Sequence, residues 1–260
     1  MKMLISAVTW DAALKAGMPQ ADLAALAAEL GCQGVELRQY WRDIAAETPA
    51  VAAALTGRSL ACAYAVNTGL LADSRESTLA TLAAAGDDLA VAAALDAQVL
   101  RVNLAAGPFD PAFIAAPWWR QAVDALLAKA EAHRIPIAVE NGPDPAKSDI
   151  ALFADLFTRV PSPWLRLTFD TGNWLYAGAS PEAALERLAP TSATSTSRTS
   201  SPLPPASATA TPAPAASTCA AWPAASPAAA TTASSSSSSP AAATPPAACG
   251  PASPTSPAKS

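Results

Sequence analysis

IPIAVEN (135–141) and LRLTFDTGNW (165–174) are the two stretches that decide how this chain is read. Each is an apolar run of strand length that ends on a carboxylate: Glu140 followed by Asn141, and Asp170 followed by Thr171, Gly172 and Asn173. A strand that is apolar on both faces is covered on both faces, which is the habit of parallel sheets flanked by helices. A polar cluster at the C-terminal end of such a strand lies where βα loops gather side chains in α/β proteins.

The same pattern repeats outward from these two segments. Apolar runs at 3–9, 34–38, 59–67, 97–104, 135–140 and 165–170 alternate with helical patterns near 20–30, 43–55, 74–94, 118–133, 147–158 and 181–188. Gly31 stops the first of these helices, and Ser180-Pro181-Glu182 opens the last as N-cap, first-turn proline and first-turn acid. Six strand–helix repeats in residues 1–190 predict an α/β fold with a parallel sheet, in barrel-like spacing. A doubly wound sheet would produce the same alternation. Polar residues gather at the strand ends: Trp10-Asp11, Glu36 and Arg38, Asn67, Arg101 and Asn103, Glu140-Asn141, and Asp170 through Asn173. In a barrel these ends converge on one face.

The two opening segments together resemble the sugar phosphate isomerase/epimerase family of xylose isomerase-like TIM barrels. GCQGVELRQYW (31–41) resembles that family's second strand, and VLRVNLAAG (99–107) its fourth. The resemblance covers residues 1–190 and implies a (β/α)8 TIM barrel of which about six βα units are present. It implies a metal-dependent isomerase or epimerase of a small sugar, sugar acid or sugar phosphate. Such enzymes move a proton beside a carbonyl through an enediolate that a divalent ion (Mn, Mg or Co) stabilises. By resemblance, Glu140 is a metal ligand and a catalytic carboxylate, and Asp170 is the second metal ligand. Asn173, Asn103, Glu36 and Asn67 are substrate-binding candidates. The family's third and fourth ligands, a His and a Glu on strands seven and eight, have no counterpart here. A metal-dependent dehydratase, an endonuclease-like member and a non-catalytic truncated product are the alternatives. The endonuclease is disfavoured because its site needs several histidines.

His133 is the only histidine, and it sits just before the fifth strand, which places it at the opposite face from the carboxylates. Trp118, Trp119 and Trp164 read as packing residues, whereas Trp10 and Trp174 stand where a pocket could be lined. Cys32, Cys62, Cys219 and Cys249 show no metal or CxxC spacing and read as reduced thiols. No Lys/Arg cluster offers a phosphate track, so no nucleic-acid partner is expected. No apolar stretch approaches the roughly 20 residues of a membrane span, and a cytoplasmic protein is expected.

Residues 191–260 are a different polymer. They hold only Arg198 and Lys259 as charges, no acid, no histidine, and one Leu and one Trp. Little apolar burial is available there to offset roughly 1–2 kcal/mol of backbone entropy per residue, so a disordered Ala/Pro/Ser/Thr-rich tail is expected, with strands one and six left as open edges. All but Leu203 and Lys259 are residues with a codon carrying C or G in its middle position, the composition that a GC-rich gene yields when read one base out of step. Under that decoding TSATSTSRTS (191–200) permits an apolar strand with a His-x-Lys-Asp pattern, and TTASSSSSSP (231–240) permits a strand ending near a Glu. A frameshifted translation is therefore favoured over a natural linker, and an inactive chain is expected.

Overall fold

A computed structural model describes residues 2–189 and, as backbone only, two short strands at 195–198 and 219–222. The chain begins with β1 (Lys2–Ser6), a 3-10 turn, and the short helix α1 (Asp11–Lys15). There follow α2 (Leu23–Glu29), β2 (Gly34–Leu37), α3 (Ile44–Thr56), β3 (Ala61–Leu71), α4 (Arg75–Ala94) and β4 (Ala97–Ala105). Then come α5 (Pro117–His133), β5 (Ile137–Glu140), α6 (Ile150–Arg159), β6 (Leu165–Asp170), α7 (Thr171–Tyr176) and α8 (Pro181–Leu188).

Strands β1 to β6 pair in sequence order and all in parallel, each followed by helix. Six βα units of a TIM-type barrel are thus formed. The edges expected to be open are not: β7 (Ser195–Arg198) runs parallel to β6, and β8 (Cys219–Trp222) runs antiparallel to both β7 and β1, so the strand order closes into a ring. An edge strand offers its N–H and C=O groups to any extended backbone, whatever the side chains, which is why a sequence with no strand-like apolar pattern pairs there. The rest of the tail expected to be disordered lies outside the described residues, as does 231–240.

Alternation along each strand divides the molecule into two environments. Ile5, Val35, Leu37, Tyr64, Leu100, Val102, Ile137, Val139, Leu167 and Phe169 face outward into the main core under the helices. Facing inward, Leu4, Ala63, Val99 and Ala138 make a small separate apolar plug. Two residues beyond the plug, Ser6, Arg101 and Glu140 on β1, β4 and β5 make the interior polar, joined by Glu36 on β2 and Thr168 on β6, all of them buried. Large side chains thus seal the outside of the sheet, and short ones inside leave room for charged groups above the plug.

Local chemistry fixes the element ends. Ser74, Asp149 and Ser180 each accept a backbone N–H at a helix start. The helical pattern near 147–158 divides into a 3-10 turn at Pro145–Ser148 and α6, because Asp149 interrupts it as the cap. Trp174 lies wholly within the core against Phe153 and Phe169, so it packs and lines no pocket. Trp119 is equally buried and donates its indole N–H to the Leu70 carbonyl. Cys32 and Cys62 are free and buried. Among the described residues no helix is long and apolar enough to cross a membrane.

Candidate functional site

The polar side chains converge at the C-terminal ends of β1 to β6, in three linked groups. The first joins β1 to β2: the Ser6 hydroxyl donates to Glu36 Oε1 at 2.8 Å, and Arg38 meets the same oxygen at 3.2 Å. The pairing of Ser6 with Glu36 in the strand register sets this contact.

The second group is an ion pair inside the barrel. Arg101 on β4 places Nη1 3.1 Å from Glu140 Oε2 on β5, with the two side chains 4% and 9% exposed. The same Nη1 reaches the Asn103 side-chain oxygen at 3.1 Å and the Val66 carbonyl at 3.3 Å. Arg101 Nε is buried with no hydrogen-bond partner among the described residues. Burial pushes the Glu140 carboxyl up from its ordinary range while Arg101 pulls it back, and burial lowers Arg101 in turn. A guanidinium stays charged in proteins, and its charge favours the ionised form of the carboxylate beside it.

In the third group the two opening motifs are spliced together. Asn141 is fully buried; its side-chain oxygen accepts the Asp170 N–H at 2.9 Å and its amide donates to the Asp170 carbonyl at 3.0 Å. Asn173 closes the loop by donating its side-chain amide to the Asn141 carbonyl at 2.7 Å. Asp170 caps α7, accepting the Asn173 N–H at 2.9 Å. Burial raises the Asp170 carboxyl, opposed by the N–H groups of Asn173 and Gly172 and by the more distant charges of Arg101 and Arg38.

Glu36, Asn103, Glu140, Asp170 and Asn173 therefore share one end of the barrel. Asn67 stands apart: it is exposed within the register shift between Ala65 and Gly69, and only its carbonyl meets the group, accepting from Asn103 at 3.3 Å. His133 is exposed at the end of α5, ahead of β5 and so at the other end of the barrel. Two residues outside the expected set are central. Arg101 was signalled by a lone charge inside an apolar strand, and Asn141 by its place after Glu140.

The residues present do not fit a divalent ion. Among the described residues no three His, Cys, Asp or Glu side chains gather closely enough to hold one. Glu140 already faces a guanidinium, which would repel a second cation beside it. The sequence has no acid after Glu186 and no histidine but His133. A cavity of about 200 Å³ is lined by Glu140 and Asn103 together with Gly142, Pro143 and Lys147.

Comparison with solved structures returns the same fold. A D-psicose 3-epimerase from Clostridium cellulolyticum H10, crystallised with D-tagatose, is 15% identical with a TM-score of 0.60, over 76% of this chain and 73% of its own. A probable 3-DHS dehydratase, AsbF from Bacillus anthracis, is 15% identical with a TM-score of 0.55, over 75% and 72%. The IolI protein, solved with a zinc atom, is 12% identical with a TM-score of 0.58, over 72% and 68%. The chain matches no curated protein sequence. The family model for the xylose isomerase-like TIM barrel matches residues 24–195, about two thirds of the sequence, and the chain belongs to that family.

Proposed function

We propose that this barrel mouth is the sugar-binding half of a small-sugar isomerase or epimerase site, and that the chain holds its ligand without turning it over. Glu140 is the carboxylate that would move a proton beside the sugar carbonyl. Glu36, Asn103 and Asn173 offer oxygen and amide groups to hydroxyls, and Asp170 is the second acid of the pair. A divalent ion would supply charge stabilisation in the proposed family chemistry, and the described residues do not gather the donors to hold one.

The observation that carries this reading is the buried Arg101–Glu140 pair. A base must meet substrate with a free lone pair, and stabilisation of the developing oxyanion is the larger part of such catalysis. Here the guanidinium neutralises the base, and residues 191–260 supply neither acid nor histidine to complete an ion site. Support for the sugar comes from the family membership and from neighbours named as sugar epimerases. We propose further that the absent donors are encoded in the gene, one base out of step after residue 190.

Calorimetric titration of the full chain with small ketoses, with and without manganese, tests the reading. Ketose binding that manganese does not strengthen is expected. A tight manganese site, or ketose affinity that depends on it, would overturn the claim that the ion's donors are missing.

A further inference from the structure

Strand β3 carries an irregularity that reaches into the mouth. Ala65 pairs with Arg101 and Gly69 with Asn103, so β3 takes two more residues than β4 to cover the same stretch. The surplus bulges out at Val66, Asn67 and Thr68. A bulge leaves backbone groups outside the ladder, and those groups need other partners. The strands close up again at Gly69, where an added Cβ would stand 3.0 Å from the Ala105 Cα and 3.2 Å from the Ala106 nitrogen.

Polar side chains hold the bulge from outside the barrel. Just past the end of β2, the Gln39 side-chain oxygen accepts the Asn67 N–H at 3.0 Å. Thr81 and Asp88 stand two turns apart on α4 and so share one face of it. Thr81 Oγ1 accepts the Gly69 N–H at 2.9 Å, and Asp88 Oδ2 accepts the Thr68 hydroxyl at 3.2 Å. The Gln39 amide donates to Asp88 Oδ1 at 3.4 Å, which ties the two holds together. Burial raises the Asp88 carboxyl, and the Thr68 and Gln39 donors oppose it.

On its inner side the bulge presents two carbonyls. That of Val66 accepts Arg101 Nη1 at 3.3 Å, and that of Asn67 accepts the Asn103 amide at 3.3 Å. The Asn103 side-chain oxygen takes the same Arg101 nitrogen, which lies 3.1 Å from Glu140. Two groups that face the mouth are thus oriented by carbonyls whose place is set on the far side of the sheet.

We propose that Asp88 and Gln39 are positioning residues of the barrel mouth: through the β3 bulge they hold Arg101 and Asn103 against Glu140. Their effect on a bound ketose rests on the sugar-binding reading above.

Solvent exchange of the buried Arg101 Nε–H, followed by NMR in the full chain, tests it alongside calorimetry with D-fructose. The variants are D88A, Q39A, D88N and T78A. Gln39 is exposed, so Q39A leaves the core intact. D88N keeps both contacts, because the Thr68 hydroxyl can accept as well as donate. T78A removes a contact of the same kind just beyond β3, where Thr78 Oγ1 accepts the Ala72 N–H at 3.0 Å. D88A and Q39A should each speed the Arg101 exchange and weaken fructose binding by about tenfold, the worth of one hydrogen bond. D88N and T78A should stay near the parent chain in both. Unchanged Arg101 exchange in D88A and Q39A, or equal acceleration in T78A, would overturn the positioning role and leave the sugar reading standing. Faster Arg101 exchange in D88A and Q39A alone, with no fructose binding by any of the proteins, would overturn the sugar reading and leave the positioning role standing.

Discussion

The Arg101 guanidinium and the Glu140 carboxylate lie 3.1 Å apart inside the barrel, on neighbouring strands, with almost no water access. Removing one partner of a buried pair strands the other charge, at about 3–5 kcal/mol, whereas replacing both by apolar groups of similar size is close to neutral. E140L and R101M should each destabilise the chain by about that amount, and the double variant R101M/E140L should recover most of the loss. Denaturant unfolding of the four proteins gives the cycle; additive losses would show that the contact carries no coupling.

Asn141 is the pin between the two carboxylate strands, holding both the N–H and the C=O of Asp170. N141A leaves these buried groups unpaired, at roughly 1–3 kcal/mol each. The variant should lose about 2–6 kcal/mol in denaturant unfolding, and its ketose affinity should fall with it, because Asp170 and Asn173 are freed together. A variant of unchanged stability would mean that water or another side chain replaces the amide.

Two groups on β3 make the fold sensitive to alkali. Burial pushes the Cys62 thiol from 9.0 up to about 12, and the Tyr64 hydroxyl from 10.0 up to about 12. Both are raised in the folded state, so the native protein holds these protons longer than the unfolded chain. Their contribution is fully present below pH 9 and is lost as pH rises toward 12. At pH 11 the Cys62 contribution should have fallen by about 3 kcal/mol. Unfolding free energy measured from pH 8 to 11 should therefore decline, and C62A should flatten the slope. An equal slope in C62A would remove the thiol as the cause.

Much of this fold could be read along the chain, because the sheet is apolar on both faces and each strand ends in a polar break. The runs at 34–38, 97–104 and 165–170 meet β2, β4 and β6 closely, and Glu140 and Asp170 come to one mouth. What could not be read depends on partners distant in sequence. The charge of Arg101 was visible, but its pairing with Glu140 follows from strand register. Asn67 looked like its neighbours at strand ends, yet the irregular β3–β4 pairing between Ala65 and Gly69 leaves it exposed. Trp174 follows a strand end as Trp10 does, but α7 turns it back into the core. The pairing of 195–198 and 219–222 is a backbone event and has no side-chain signature.

The reading-frame proposal makes a prediction about the gene. The nucleotide sequence after codon 190, read one base out of step, should encode an apolar strand with a His-x-Lys-Asp pattern and, some forty codons later, one ending near a Glu. Codon usage that stays uniform across residue 190, with no such strands in the alternative frames, would establish the tail as a natural segment.

The most direct measurement is exchange of solvent deuterium into a ketose or ketose phosphate, followed by NMR with the full chain and excess manganese, magnesium or cobalt. Binding without turnover predicts no exchange above the protein-free rate for any ion. Exchange that requires both the ion and Glu140, and is lost in E140Q, would show that this chain is a working isomerase or epimerase and contradict the proposal that half of its site is missing.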